Sequence, residues 1–172
     1  MSADRPNAPL RILLLGANGQ LGHGLSRALP ALGEVHALTR ADVDLADAVQ
    51  FESALRAQLN ALDPHVIVNA AAYTAVDKAQ TDFETAMQIN AHAVRVLAKE
   101  AKARHSMLLH YSSDYVFDGG GEAPWREDDE PNPLSAYGRS KLAGEQAIAE
   151  VGARACVLRT CLLYTSPSPR DQ

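Results

Sequence analysis

The residues with the most specific chemistry are Tyr137 and Lys141, which stand four positions apart just after a proline-rich segment. On a helix this spacing places both side chains on one face, one turn apart. Because an ammonium group favours a neighbouring phenolate, the pair predicts a lowered pKa for Tyr137 and proton transfer by its hydroxyl near neutral pH. A surface tyrosine and lysine can have the same spacing, so the prediction depends on the rest of the chain.

A second segment has the composition of a phosphate-binding turn. Residues 11–15 form an apolar run of strand length, Gly16, Gly19 and Gly22 follow at intervals of three, and a helical pattern continues after them. Glycines at this spacing allow a tight turn, a close approach of the backbone to a pyrophosphate, and close helix–strand packing. Because a strand precedes the turn and a helix follows it, we expect dinucleotide binding and not a plain turn.

The elements that must position these residues alternate between strand and helix patterns. Strands are predicted at 11–15, 35–38, 66–69, 107–111 and 155–158. Helices are predicted at 46–59, at 135–150, and from a cap at Thr81 or Asp82 to about 104. A loop is predicted at 112–135. This alternation indicates an α/β fold, a Rossmann-type doubly wound parallel sheet.

Composition excludes several functional classes. The 172 residues are enough for one domain with a core, and a net charge of −5 argues against a nucleic-acid partner. The apolar runs are too short to span a membrane, and two cysteines cannot form a disulfide framework. The six histidines show no ligand spacing, and His110 is expected in the core. We therefore expect a cytoplasmic protein that binds no metal.

Four segments together resemble the extended short-chain dehydrogenase/reductases. They are the glycine turn and residues 68–78, 111–117 and 137–145, and the resemblance covers about residues 10–160. Residues 68–78 and 112–117 are most similar to the branch that reduces a 4-keto dTDP-sugar in the last step of dTDP-L-rhamnose synthesis. The resemblance implies reduction by NADPH or NADH, a nucleotide-sugar substrate and a possible homodimer.

The resemblance also implies roles for individual residues. The pyrophosphate would be lined by Gly19, Gln20 and Leu21, the adenine by Asp44 and Leu45, and the nicotinamide half by Ala72, Tyr73 and Thr74. Ser113 and Asp114 would contact the sugar. Ser113, Tyr137 and Lys141 would form the catalytic trio, with Tyr137 giving a proton to the C4 carbonyl oxygen and Lys141 binding the nicotinamide ribose. Ketone reduction builds negative charge on that oxygen, which suits a converging proton donor and hydroxyl.

The end of the second strand bears on the choice of cofactor. It reads Thr39-Arg40, without the acidic residue that binds a ribose 2′-hydroxyl. Arg40 is suited to a 2′-phosphate, so the sequence favours NADPH or the acceptance of both cofactors. The alternative is a solvated surface arginine.

The resemblance ends near Thr160. The family usually continues with Ser-Trp-Val-Tyr, whereas this chain has Cys161, Leu162, Leu163 and Tyr164. We expect a disordered segment at 1–9, a NAD(P)-binding Rossmann domain at 10–164, and an unstructured, foreign tail at 165–172. On this interpretation the domain is truncated before the C-terminal substrate-binding portion and is inactive alone.

Two other functions stay open at this stage. One is a sugar-nucleotide dehydratase or epimerase of the same superfamily, which shares the glycine turn and the tyrosine–lysine pair. The other is a non-catalytic, cofactor-binding regulatory subunit. An intact Ser113, Tyr137 and Lys141 favours catalysis over the second alternative.

Overall fold

The computed structural model describes residues 9–120 and 123–161. The segments predicted to be disordered or foreign, 1–9 and 165–172, lie outside these residues except for Pro9. Five strands form one parallel sheet: β1 (Leu10–Leu15), β2 (Gly33–Leu38), β3 (Val66–Asn69), β4 (Met107–Ser113) and β5 (Ala155–Thr160). Their order is β2-β1-β3-β4-β5, so β1 and β3 lie side by side near the middle of the sheet. The predicted parallel α/β fold is confirmed.

In the described part of the chain, five α-helices connect the strands: α1 (Gln20–Ala28), α2 (Phe51–Leu62), α3 (Phe83–Met87), α4 (Ala93–Ala103) and α5 (Ala136–Val151). Short 3₁₀ turns occur at Leu29–Ala31, Lys78–Gln80 and Asp114–Val116, and a π-helical turn at Gln88–His92.

Apolar clusters cover both faces of the sheet. On one face, Leu13, Ile67 and Leu108 pack with Leu55 of α2 and Leu97 of α4. On the other face, a smaller cluster contains Ile12, Leu14, Val68 and Leu29. The continuous apolar run of β1 follows from this arrangement, because a central parallel strand is buried on both faces.

The predicted helix at 46–59 is wrong at its beginning. Asp44 Oδ1 accepts a hydrogen bond from the Ala46 N–H at 2.9 Å, and Asp47 Oδ1 accepts from the N–H groups of Val49 and Gln50 at 3.0 and 2.9 Å. Such side-chain bonds hold the backbone in turns and compete with helix formation. The helix therefore begins at Phe51, and Val49, within the predicted range, is 89% exposed.

The long helix predicted from 81 or 82 to 104 is present but not uniform. Asp82 precedes α3, as predicted, but its side chain accepts from the Tyr73 hydroxyl at 3.1 Å and does not cap the helix. The π-helical turn interrupts the α-helical pattern, and Asn90 within it is buried. A π-helical turn in a longer helix often lies at a functional site.

The loop predicted at 112–135 begins later than expected. Strand β4 continues to Ser113, which pairs with Thr160 of β5. The next residues form a 3₁₀ turn because the Ser113 hydroxyl accepts a hydrogen bond from the Tyr115 N–H at 3.2 Å. The strand therefore carries Ser113 to the edge at which the other parallel strands end.

Candidate active site

The glycine turn is built by contacts that exclude larger side chains. Gly16 has φ +78°, and a Cβ atom on it would lie 2.7 Å from the Ala71 nitrogen. A Cβ on Gly22 would lie 2.0 Å from the Gly16 carbonyl oxygen. The turn therefore packs tightly under α1, whose first N–H groups have no partner within the helix. A helix N-terminus of this kind attracts phosphate.

A cavity of about 590 Å³ extends from this turn to α5. Of the fifteen predicted site residues, thirteen line it: Gly16, Gly19, Gln20, Leu21, Arg40, Asp44, Leu45, Ala72, Thr74, Ser113, Asp114, Tyr137 and Lys141. The cavity thus brings together residues from the ends of β1, β2, β3 and β4, as expected where parallel strands share one edge.

Gly22 and Tyr73 are the two predicted residues that do not line the cavity. Gly22 acts in packing, since it lies against Gly16. The Tyr73 ring packs in a cluster with Ala86 and Tyr137, and its hydroxyl donates to Asp82. The side chain of Tyr73 therefore packs against the Tyr137 side chain and does not line the cavity.

Tyr137 and Lys141 lie in the first two turns of α5. The helix begins after Ser135, whose hydroxyl oxygen accepts a hydrogen bond from the Gly138 N–H at 2.9 Å. Tyr137 is 9% exposed and Lys141 only 1% exposed. Lys141 Nζ donates to the backbone carbonyl oxygen of Tyr111 at 2.7 Å. The pair is thus held between α5 and β4.

The predicted lowering of the pKa of Tyr137 by Lys141 is wrong in this structure. Burial raises the pKa of Tyr137, and the charge of Asp114 adds to that shift, while a hydrogen bond with Ser113 opposes it. Burial also lowers the pKa of Lys141 to about 8, and the carboxylate of Glu145 opposes this shift. Tyr137 is therefore protonated at neutral pH, which is the state that a proton donor requires.

Two glycines that sequence reasoning missed set the position of α5. A Cβ on Gly138 would lie 2.2 Å from the Tyr115 carbonyl oxygen, and a Cβ on Gly144 would lie 2.2 Å from the Asn90 carbonyl oxygen. Only glycine fits at such approaches without a shift of the backbone.

Asn90 was also missed. Its Oδ1 accepts from the Tyr73 N–H at 2.9 Å, while its Nδ2 donates to the Tyr73 carbonyl at 3.1 Å and to the Ser140 hydroxyl at 2.9 Å. Asn90 therefore links the loop after β3 to the helix that carries Tyr137. The available signal was an asparagine within an apolar helical run, since a buried polar side chain needs partners.

His110 lies in the core as predicted, fully buried beneath the site. Its Nδ1 lies 3.0 Å from Asn69 Nδ2 on the neighbouring strand. Burial and, to a smaller extent, the nearby charge of Lys141 lower the pKa of His110 to about 3, so the imidazole is neutral. Asn69 Oδ1 also accepts from the Ala71 N–H at 3.2 Å and so caps the turn after β3.

Among the residues that the structure describes, no group of three or more His, Cys, Asp or Glu side chains is placed to hold a metal ion. None of the helices in residues 9–120 and 123–161 has both the length and the apolar character that a membrane span requires.

A parallel sheet, a glycine turn and a buried Tyr-x-x-x-Lys pair at one edge define a domain of the short-chain dehydrogenase/reductase type. A family model described as the RmlD substrate binding domain matches residues 10–171. The chain belongs to this family.

Known relatives and solved structures agree with this assignment. The chain is 42% identical over 155 residues to the dTDP-4-dehydrorhamnose reductase of Escherichia coli strain K12, covering 90% of this chain and 52% of that protein. It is 45% identical over 157 residues to the Burkholderia thailandensis reductase of the same name, covering 91% and 51%. A crystal structure of the Bacillus anthracis reductase in complex with NADP matches with a TM-score of 0.84 and 33% identity, covering 91% and 54%. The chain spans about half the length of the curated relatives that it matches.

Proposed function

We propose that this chain is the cofactor-binding part of an NAD(P)H-dependent reductase that converts the 4-keto group of dTDP-4-dehydrorhamnose to the hydroxyl of dTDP-L-rhamnose. The observation that carries the proposal is the cavity that joins the glycine turn to Ser113, Tyr137 and Lys141. Relatives named for this reaction support the choice of substrate.

The cavity fits a dinucleotide by the chemistry of its lining. The α1 N-terminus and the Gly16–Gly22 turn would hold the pyrophosphate, and Asp44 and Leu45 would border the adenine. Lys141 would bind the nicotinamide ribose. When bound, the cofactor supplies the hydride that reaches C4 of the sugar.

The protein's own part in the reaction is proton transfer at the C4 oxygen. Tyr137 donates its hydroxyl proton to this oxygen and becomes a phenolate, which regains a proton from solvent. The Ser113 hydroxyl donates a hydrogen bond to the same oxygen as negative charge develops there.

The substrate is a nucleotide-sugar, and we propose that Ser113 and Asp114 contact the sugar. Asp114 lines the cavity, and its Oδ1 accepts from the Ser113 hydroxyl at 3.2 Å.

Four statements from the sequence analysis stay predictions. They are that residues 10–164 form a NAD(P)-binding domain, that the chain is inactive alone, that the longer protein forms a homodimer, and that the protein is cytoplasmic.

A chimeric reductase tests the proposal. Residues 1–160 are joined to the C-terminal half of the Burkholderia thailandensis relative, and dTDP-4-dehydrorhamnose is added with NADPH or NADH. We expect one equivalent of reduced cofactor to be consumed per dTDP-L-rhamnose identified by mass spectrometry. Conversion without net cofactor consumption would indicate a dehydratase or epimerase, and cofactor binding without turnover would indicate the regulatory role.

A further inference from the structure

Arg159, at the end of β5, joins three parts of the molecule. Its Nε and Nη2 donate to the two carboxylate oxygens of Glu145 on α5, at 3.1 and 2.7 Å. Its guanidinium lies 4.9 Å from the centre of the Phe117 ring. Its Nη1 donates to the carbonyl oxygen of Glu127 at 3.3 Å. Side chains with this number of directed contacts lose most of their rotational freedom.

The ring that Arg159 covers belongs to the segment that carries the site. The Phe117 N–H donates to the Asp114 carbonyl at 2.9 Å and closes the turn that follows Ser113. Within this turn Tyr115 meets the Tyr137 ring edge-on, with ring centres 5.7 Å apart. A shift of Phe117 would therefore move Ser113 and Asp114 relative to Tyr137.

Trp125 also packs on the Phe117 ring. The indole and the Phe117 ring are parallel within 1°, with centres 4.5 Å apart. Phe117 therefore contacts both Trp125 and Arg159, and Arg159 is paired with Glu145. The Arg159–Glu145 pair is 23% and 11% exposed, so solvent screens it less than a surface pair.

We propose that Arg159 is a positioning residue, which holds the Ser113–Phe117 turn at a fixed distance from the Tyr137–Lys141 face of α5. Arg159 is bound to the helix through Glu145, and it contacts the turn through Phe117. An effect of Arg159 on catalysis would depend on the proposed function. The structural coupling of Arg159 to the turn does not depend on the proposed function.

The test measures local opening of the turn in the 172-residue chain. Arg159→Met removes the charge and the donors but keeps an apolar side chain against Phe117. Hydrogen exchange of the Tyr115 and Phe117 N–H groups is followed by NMR, with the Leu97 N–H in the core as the global reference. Fluorescence of Trp125, the only tryptophan in the sequence, reports on its packing against Phe117.

We expect both turn amides to exchange about tenfold faster or more in Arg159→Met, because charge-assisted bonds are lost, while the Leu97 amide changes much less. Trp125 emission should shift to longer wavelength and acrylamide quenching should increase. Arg159→Lys, which keeps the charge but not the planar fork, should be intermediate.

Arg95→Met is the matched control. Arg95 Nη2 pairs with Glu150 Oε2 at 2.6 Å between α4 and α5, but both side chains are more exposed and lie away from the turn. This variant should leave the turn amides and Trp125 unchanged. Should Arg159→Met fail to fold, Glu145→Gln is measured by the same criteria.

Equal acceleration of all three amides, or no change at the turn, would overturn the proposal, because Arg159 would then act only on global stability or not at all. NADPH is titrated into the wild-type chain in parallel. Absence of binding there would count against the proposed function, while the exchange pattern would still decide the role of Arg159.

Discussion

Lys141 Nζ donates a hydrogen bond to the Tyr111 backbone carbonyl across 2.7 Å, from α5 to β4. This bond places the ammonium beneath the cavity, where the side chain is 1% exposed. The backbone of β4 thus fixes Lys141, and the neighbouring residues Ser112 and Ser113 of the same strand reach the cavity.

Because Lys141 is buried, we expect the free energy of unfolding to depend on pH. Its pKa is lowered from 10.5 to about 8, so the unfolded chain binds more protons between these values and stability rises with pH through that window. Relative to Lys141→Met, the wild type should gain roughly 1 kcal/mol of unfolding free energy between about pH 7 and 9. Urea unfolding of both proteins at the two pH values measures this, and a constant difference would contradict it.

His110 should make the protein sensitive to acid. Its pKa of about 3 lies below the ordinary 6.5, so the stability from the buried neutral ring is complete above pH 6.5 and is lost as pH falls toward 3. His110→Gln should flatten the decline by roughly 1 to 3 kcal/mol between about pH 6.5 and 4. His23→Gln, at an exposed histidine, should leave the slope unaltered. Unfolding curves across this range provide the comparison.

Gly138 and Gly24 predict opposite effects of the same substitution. Gly138→Ala forces a Cβ against the Tyr115 carbonyl and should destabilise the chain by about 1 to 3 kcal/mol. Nothing lies within 4 Å of a Cβ on Gly24, so Gly24→Ala in α1 should stabilise it by about 0.5 to 1 kcal/mol. Thermal unfolding of the two variants checks the signs, and equal effects would show that the contact at Gly138 is unimportant.

Tyr137→Phe should remove most reductase activity in the chimera while retaining cofactor binding. The change deletes the proton donor and keeps the ring, so turnover should fall about 10² to 10⁴-fold and the Kd for NADPH should stay within about twofold. Tyr111→Phe keeps the carbonyl that binds Lys141 and serves as the control. Near-normal turnover of Tyr137→Phe would reject Tyr137 as the acid.

Arg40 predicts the preference for NADPH. In the structure its Nε pairs with Asp44 Oδ2 at 3.1 Å, and the Arg40 side chain is 75% exposed at the cavity. Arg40→Gln should weaken NADPH binding about tenfold and leave NADH binding nearly unchanged, since only NADPH carries the 2′-phosphate. Arg56→Gln, on the exposed side of α2, is the control. Clearly tighter binding of NADH by the wild type would contradict the prediction.

The local features of this protein could be predicted from its amino-acid sequence. The apolar runs predicted the five strands that the structure describes. The runs are clearest in β1 and β3, because a strand buried on both faces must be apolar along its length. The glycine spacing predicted the turn at one end of the cavity, and the Tyr137–Lys141 spacing predicted the helix face at the other end, because glycine and helical periodicity restrict the backbone before any tertiary contact forms.

The electrostatics of the site and the fit between helices and strands depend on tertiary packing. Helical spacing brings Lys141 near Tyr137, but burial depends on how α5 packs on β4, and burial reversed the predicted direction of the Tyr137 pKa. The close approaches at Gly138 and Gly144 and the links made by Asn90 and Arg159 join residues far apart in the chain. Contacts of this kind arise only when the whole chain is packed, and no local pattern contains them.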